Sequence, residues 1–169
     1  MTDEWLDVVD EQDRVTGQAP RRVATAERLR HRCVFIFVRD ERGRVFVHRR
    51  TPTKLLFPSM YDMFVGGVVG AGESYDDAAR REAAEELGVP DLPAPEYRFK
   101  FLYESPRHAW WSAVYELRYG GPVHPQVEEI AWFAFLTEDE LRQRLDEWDW
   151  VPDGFEAFRR LRGEPVDER

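Results

Sequence analysis

The chain has 169 residues, 43% hydrophobic and 34% charged, a globular composition at a length that sets the expectation of one domain, residues 1–169, with short terminal extensions. A formal net charge of −9 argues against a protein that chiefly neutralises nucleic-acid phosphates, yet leaves room for a small phosphorylated ligand held by a local basic cluster. Cys33 is the only cysteine, which excludes an internal disulfide and a cysteine-based zinc site. No apolar run approaches the roughly 20 residues of a membrane helix, and the acidic stretch Met1 to Asp10 lacks the apolar segment of a signal peptide. The expectation is a cytoplasmic protein that needs neither a membrane nor a nucleic-acid polymer.

In chain order, Trp5 to Val9 and Val15 to Gln18 flank Asp10-Glu11-Gln12-Asp13 and read as a hairpin over residues 5–18. A core over about 30–150 then follows. Ala24 to Arg30 suits a helix, and the apolar run Cys33 to Val38 suits a buried strand, joined through Asp40-Glu41-Arg42-Gly43 to an antiparallel partner at Val45 to His48. Pro52 and Pro58 mark an irregular stretch. Gly66 to Gly72 reads as a glycine-rich loop leading into a helix that Ser74 caps and Gly88 ends. Beyond the loop Pro90 to Pro95, strands are expected at Phe99 to Tyr103, Trp110 to Leu117 and Val127 to Phe135. Thr137 and Glu140 start a helix over Glu138 to Trp148, a C-terminal helix covers about 154–162, and Gly163 to Arg169 is a loose tail. The class is mixed α/β.

The chemistry concentrates in one segment: Gly67, five residues, Glu73, seven residues, then Arg81-Glu82-Ala83-Ala84-Glu85-Glu86-Leu87-Gly88-Val89. At 100° per residue, Glu82, Glu85 and Glu86 fall within an arc of about 100°, beside an apolar stripe of Tyr75, Ala79, Ala83 and Leu87. Like charges at i,i+4 cost an isolated helix roughly 0.2–0.5 kcal/mol per pair, and the helix macrodipole disfavours acids in its C-terminal half. A hard divalent cation such as Mg²⁺, which takes a few carboxylates and shares its other positions with water and phosphate, would compensate. A solvated acidic face partnered by Arg80 and Arg81 is the alternative.

The seven fixed positions match the signature G-x5-E-x7-R-E-U-x-E-E-x-G-U, where U is aliphatic, and the chain therefore resembles the Nudix hydrolase superfamily. From this chain's own composition such a match arises by chance with a probability on the order of 10⁻⁵; Ala83 is smaller than the aliphatic residue usual there. The resemblance implies an α+β Nudix fold, a mixed β-sheet sandwiched between helices (α/β/α), and Mg²⁺- or Mn²⁺-dependent hydrolysis of a small-molecule diphosphate. It implies Glu85 and Glu86 as metal ligands, with Glu82 as a further ligand or general base. A backbone carbonyl of Gly66 or Gly67 would also face the metal. Glu73 and Arg81 become the pair that orients the helix, and Glu129 sits where some relatives supply another acid. Homodimers are common in the superfamily.

A finer likeness runs through Leu29-Arg30-His31-Arg32, Arg49-Arg50-Thr51-Pro52-Thr53-Lys54 and Pro58, whose spacing resembles the branch containing type-1 isopentenyl-diphosphate isomerase. It makes Arg50 and Lys54 candidate substrate-phosphate contacts, against the reading of Arg49 and Arg50 as polar positions ending a strand. Isomerase chemistry needs a cysteine where this chain has Gly66 and a histidine where it has Val68, and Cys33 reads as a core residue. His31 matches an isomerase metal position. Isomerase activity and a non-catalytic ligand-binding module are therefore the weaker alternatives to a diphosphohydrolase. Trp110 and Trp111, adjacent on a strand, point to opposite faces, while Trp148 and Trp150 flank Asp149 at a helix-to-loop junction. Specificity is expected from the loops Pro90 to Pro95 and Tyr119 to Gln126.

Overall fold

The computed structural model describes residues 3–166. An antiparallel hairpin of β1 (Trp5–Val9) and β2 (Val15–Pro20) leads directly into α1 (Arg21–Ala26). This helix lies earlier than the expected Ala24 to Arg30. Pro20 is its N-cap, and Arg28 in a left-handed conformation (φ 55°) stops it. There follow β3 (His31–Arg39), β4 (Val45–Arg50), β5 (Tyr61–Asp62), β6 (Val65–Val68), α2 (Tyr75–Leu87), β7 (Glu96–Glu104), β8 (Ala109–Arg118), β9 (Ile130–Leu136), α3 (Glu138–Arg144) and α4 (Pro152–Leu161).

The second sheet is mixed and forks. Along its whole length β3 pairs in parallel with β8, which pairs antiparallel with β7. On its other edge β3 meets β4 only at Arg39↔Val45, whereas Cys33–Ile36 pair with β6. Past that single contact β4 diverges, carrying β9 on one edge and β5 on the other. The segment 61–68 thus starts on the β4 branch and ends on the β3 branch, lining the fork.

Alternation along β3 shows how the layers form. Cys33, Phe35 and Phe37 enter one core with Leu6, Ala24, Leu141, Ala157 and Phe158, from the hairpin, α1, α3 and α4. Val34, Ile36 and Val38 enter the opposite core with Ala78, Ala79, Ala83 and Leu87 of α2. The result is the expected sheet between helices. No helix of the described residues is long and apolar enough to cross a membrane.

Several expected boundaries move. Gly66 and Gly67 are strand residues, not loop: a Cβ at Gly66 would lie 1.9 Å from the Val34 carbonyl oxygen, so only glycine lets β6 press onto β3 here. Strand β9 begins at Ile130 rather than Val127. Helix α3 ends at Arg144 rather than Trp148, because the Trp150 indole N–H donates to the Arg144 carbonyl (2.9 Å) and Trp148 stacks on Tyr61 at 4.1 Å. The C-terminal helix starts two residues early, with Pro152 in its first turn. Of the tail expected to be loose, Glu164 is tied to Arg142 at 2.7 Å, and residues 167–169 lie outside the described residues.

Candidate active site

Helix α2 sets the geometry. The Ser74 hydroxyl accepts from the Asp77 amide (3.1 Å), and Gly88, left-handed at φ 66°, closes the other end. Alanines at 78, 79 and 83 leave no bulk on the buried side, so the helix lies close to β6 and β3. A Cβ at Gly67 would fall 2.6 Å from the Glu82 carboxyl carbon; the Glu82 carboxylate lies directly on the glycine.

Arg81 knots the helix to what precedes it. Its Nε and Nη2 donate to the two Glu73 oxygens, both at 2.8 Å, and Nη2 reaches the Val68 carbonyl at the end of β6. Glu73 also accepts from the Gly70 amide (3.1 Å), and the Arg81 guanidinium holds its carboxyl below the usual range. Through Nη1, Arg81 also contacts Glu82 at 2.7 Å and Glu85 at 3.4 Å. The family likeness pairs Arg81 with Glu73 and the alternative reading pairs it with the helix glutamates; the arginine does both, engaging three of the four signature carboxylates.

The three helix glutamates differ in surroundings. Glu85 is half exposed and Glu82 largely covered, at 50% and 12% side-chain exposure. Burial pushes Glu82 up despite Arg81. Glu86 makes no hydrogen bond or ion pair to any described residue, and burial, reinforced by the Glu82 charge, pushes its carboxyl well above the ordinary range.

All three line one polar cleft of about 340 Å³, with Gly66, Gly67, Arg81, Lys54 and Glu129 also in its wall. Lys54 is ion-paired to Glu129. Arg50 lies one step deeper, in an adjoining inner cavity within the fork, where its Nε donates to the Leu56 carbonyl (3.0 Å). Glu73 stays behind the cleft as a support. Of the expected specificity loops, Tyr119 to Gln126 reaches the cleft at Gln126, whereas Pro90 to Pro95 packs on the outer face of α2 against Arg80, Ala83 and Ala84.

The sequence pattern missed residues remote in the chain. Glu4 and Arg21, an ion pair at 3.6 Å on the N-terminal hairpin and α1, line the cleft. The inner cavity is walled by His48, Asp62 and Asp153 as well as His31, Cys33 and Trp110. Burial, strengthened by Asp153, lifts Asp62 to about 8; burial lifts Asp153 to about 6 and lowers His48 to about 4. Burial also pushes the Cys33 thiol well up, as befits a core cysteine. Trp110 faces inward and donates to Asp153 (3.2 Å), while Trp111 on the other face donates to the Asp10 carbonyl (3.2 Å).

The donor set suits a hard divalent cation. Glu86 is a half-buried carboxylate on the cleft wall without a counter-charge in bonding distance, Glu82 lies one turn away, and the cleft has room for hydration. Consecutive strand residues turn their carbonyls to opposite edges, and β6 pairs with a strand only along β3 among the described residues, so one of the Gly66 and Gly67 carbonyls points away from that ladder. No group of three acidic, histidine or cysteine side chains among the described residues is gathered as a complete ligand set, since Arg81 holds Glu82 and Glu85.

Residues 29–158 match the family model described as the NUDIX domain. The chain belongs to the Nudix hydrolase family. It is 67% identical over 161 residues to the Nudix hydrolase SCO1686 of Streptomyces coelicolor, covering 95% of this chain and 89% of that one. It is 40% identical over 155 residues to the Nudix hydrolase YfcD of Escherichia coli K12, covering 92% and 84%. The crystal structure of DR0079 from Deinococcus radiodurans superposes with a TM-score of 0.77 at 36% identity, over 93% of this chain and 98% of that one. The Nudix match begins after the hairpin and α1, so Glu4 and Arg21 reach the cleft from outside the matched segment.

Proposed function

We propose that this protein is a diphosphohydrolase that cleaves the diphosphate bond of a small phosphorylated metabolite, with Mg²⁺, or Mn²⁺ in its place, held by Glu86, Glu82 and Glu85 and by a carbonyl of Gly66 or Gly67. The observation that carries this reading is the half-buried, unpaired Glu86 carboxylate one turn from Glu82 in a polar cleft. A bound divalent ion supplies Lewis-acid neutralisation of phosphate oxygens and orients a water for attack.

The chain's own residues supply the rest. Arg50, Lys54 and Arg21 ring the cleft and inner cavity with positive charge for the diphosphate. Glu73, through its paired bonds to Arg81, fixes how far the guanidinium leans on Glu82 and Glu85. Glu82, covered and pushed up by burial, is placed to take a proton from an attacking water. The isomerase alternative loses support at Gly66, where a cysteine side chain would collide with the Val34 carbonyl. The single, buried cysteine fits a reducing, cytoplasmic setting. The deciding experiment incubates the protein with a panel of diphosphate compounds and Mg²⁺ or Mn²⁺ and identifies both products by mass spectrometry. Two phosphorylated products support the reading; ligand binding without turnover would favour a non-catalytic module.

A further inference from the structure

Besides the cations Arg21, Arg50 and Lys54, the inner cavity behind Glu86 holds Asp62, Asp153 and His48, which diphosphate binding does not use. Its volume, about 90 Å³, is small beside the roughly 300–1,000 Å³ of a whole-ligand pocket, and it adjoins the cleft of about 340 Å³. A terminal group fits it, with the diphosphate outside near Lys54 and Glu86. Asp62 is only 7% exposed and Asp153 only 3%, yet neither pairs with a guanidinium or ammonium group among the described residues. Asp62 accepts from the Phe64 amide (3.0 Å); Asp153 accepts from the Gly154 amide (3.0 Å) and the Trp110 indole (3.2 Å). Gly154 admits this arrangement, since a Cβ there would sit 2.6 Å from Asp62 Oδ1.

An independent observation comes from His48, 3% exposed, on the same wall. Its Nε2 lies 2.8 Å from the Phe64 carbonyl, which can only accept, so Nε2 carries the hydrogen and Nδ1 is a bare acceptor. Nδ1 is buried and has no hydrogen-bond partner among the described residues. Buried polar atoms are nearly always bonded, so this one marks a place for a donor that the protein itself does not supply. A hydrocarbon chain in the cavity would leave the imidazole nitrogen and Asp62 Oδ2 without donors, whereas Asp153 already accepts at both oxygens. A group carrying two hydroxyls can give one to each of these two acceptors.

We propose that this cavity is the specificity pocket for the moiety esterified to the diphosphate, and that Asp62 and His48 select a compact hydroxylated group over a hydrocarbon one. The assignment rests on the diphosphohydrolase reading. It is tested by comparing kcat/KM for methyl, glyceryl, aminoethyl and dimethylallyl diphosphate, which share the scissile bond and differ only at the distal group. The wild-type protein should prefer glyceryl over methyl diphosphate by about 10-fold or more, with dimethylallyl no better than methyl. Asp62→Asn keeps an acceptor for the Phe64 amide but turns an N–H₂ into the cavity, and should bring the glyceryl-to-methyl ratio towards one, chiefly through KM. His48→Phe should act in the same direction, so the pocket stays testable if one variant does not fold. A best rate with dimethylallyl or aminoethyl diphosphate overturns the hydroxyl assignment, as does a ratio unchanged in both variants while the panel is still cleaved. Failure to cleave any of the four overturns the diphosphohydrolase reading, and this assignment with it.

Discussion

Glu86→Gln separates the stability of the site from its chemistry. The substitution keeps the shape of a half-buried side chain that makes no bond to any described residue and lies close enough to Glu82 to feel its charge. Leaving a buried polar group unbonded costs about 1–3 kcal/mol, and more when the group is charged. The neutral amide avoids confining that charge, and because the side chain is only half buried the gain is about 1 kcal/mol at pH 8 without metal. At about 2–4 °C per kcal/mol for a chain of this size, Tm should rise by roughly 2–4 °C. The sign of the pH dependence follows from linkage. Because the folded value lies above the unfolded one, the native state holds a proton that the unfolded chain has lost, and wild-type stability declines as pH climbs through that interval. Glutamine escapes the decline, so the variant's advantage should be narrow at pH 5 and wide at pH 8. Adding Mg²⁺ should reverse the order, since an ion bound only by the native wild type stabilises it by about 2.7 kcal/mol at a hundred times its dissociation constant. Turnover should fall about 100-fold or more. Thermal scans at both pH values, in chelator and in Mg²⁺, check all of this. A variant less stable than wild type at pH 8 in chelator, or one that keeps its Mg²⁺-induced shift, would refute the reasoning.

Gly67→Ala drives a methyl group into the Glu82 carboxylate and should cut kcat about 10- to 100-fold while circular dichroism shows the fold intact. Glu73→Gln removes the charge from the paired bonds to Arg81. Because Arg81 is a third exposed, stability should drop by only about 1 kcal/mol in urea titrations, while kcat/KM falls further as Arg81 closes on Glu82 and Glu85. Asp62, lifted to about 8, penalises the native state increasingly as pH rises from about 4 to about 8; relative to wild type, Asp62→Asn should gain stability across that window, as read by urea midpoints at pH 5 and 8. Asp13, 2% exposed, accepts from Arg32 (2.7 Å), Lys100 (2.7 Å) and Tyr75 (2.8 Å), so Asp13→Ala should cost roughly 2–3 kcal/mol in the same titration.

The parts of the fold legible in the sequence are those fixed by local chemistry. Ser74 and Gly88 bracket α2, and the unbroken apolar run Cys33 to Val38 of β3 foretells a strand buried on both faces. The glutamates of α2 were legible for the same reason, since a helix turns fixed spacing into a shared face. What escaped was set by contacts distant in the chain. A glycine pair reads as loop unless one knows that the Val34 carbonyl and the Glu82 carboxylate each claim the space of a Cβ. Strand β5 is two residues long and exists because β4 diverges from β3 beside it. Asp62 and Asp153 meet across some ninety positions, and no spacing rule links them to His48. Glu4, just before β1, and Arg21, the first residue of α1, flank a hairpin whose own sequence gives no hint that its ends border the cleft.

The fork between β3 and β4 has an evolutionary corollary. Gly67, Glu82 and Glu86 depend on the β3–β6 branch and α2, whereas His48 and Asp62 are carried by the β4–β5 branch, which touches its neighbour strand at one residue pair. Substitutions at His48 and Asp62 that spare Arg50 on the same branch would therefore retune which metabolite is admitted while leaving Gly67, Glu82 and Glu86 in place. A single scaffold of this kind can diversify its diet while conserving its bite.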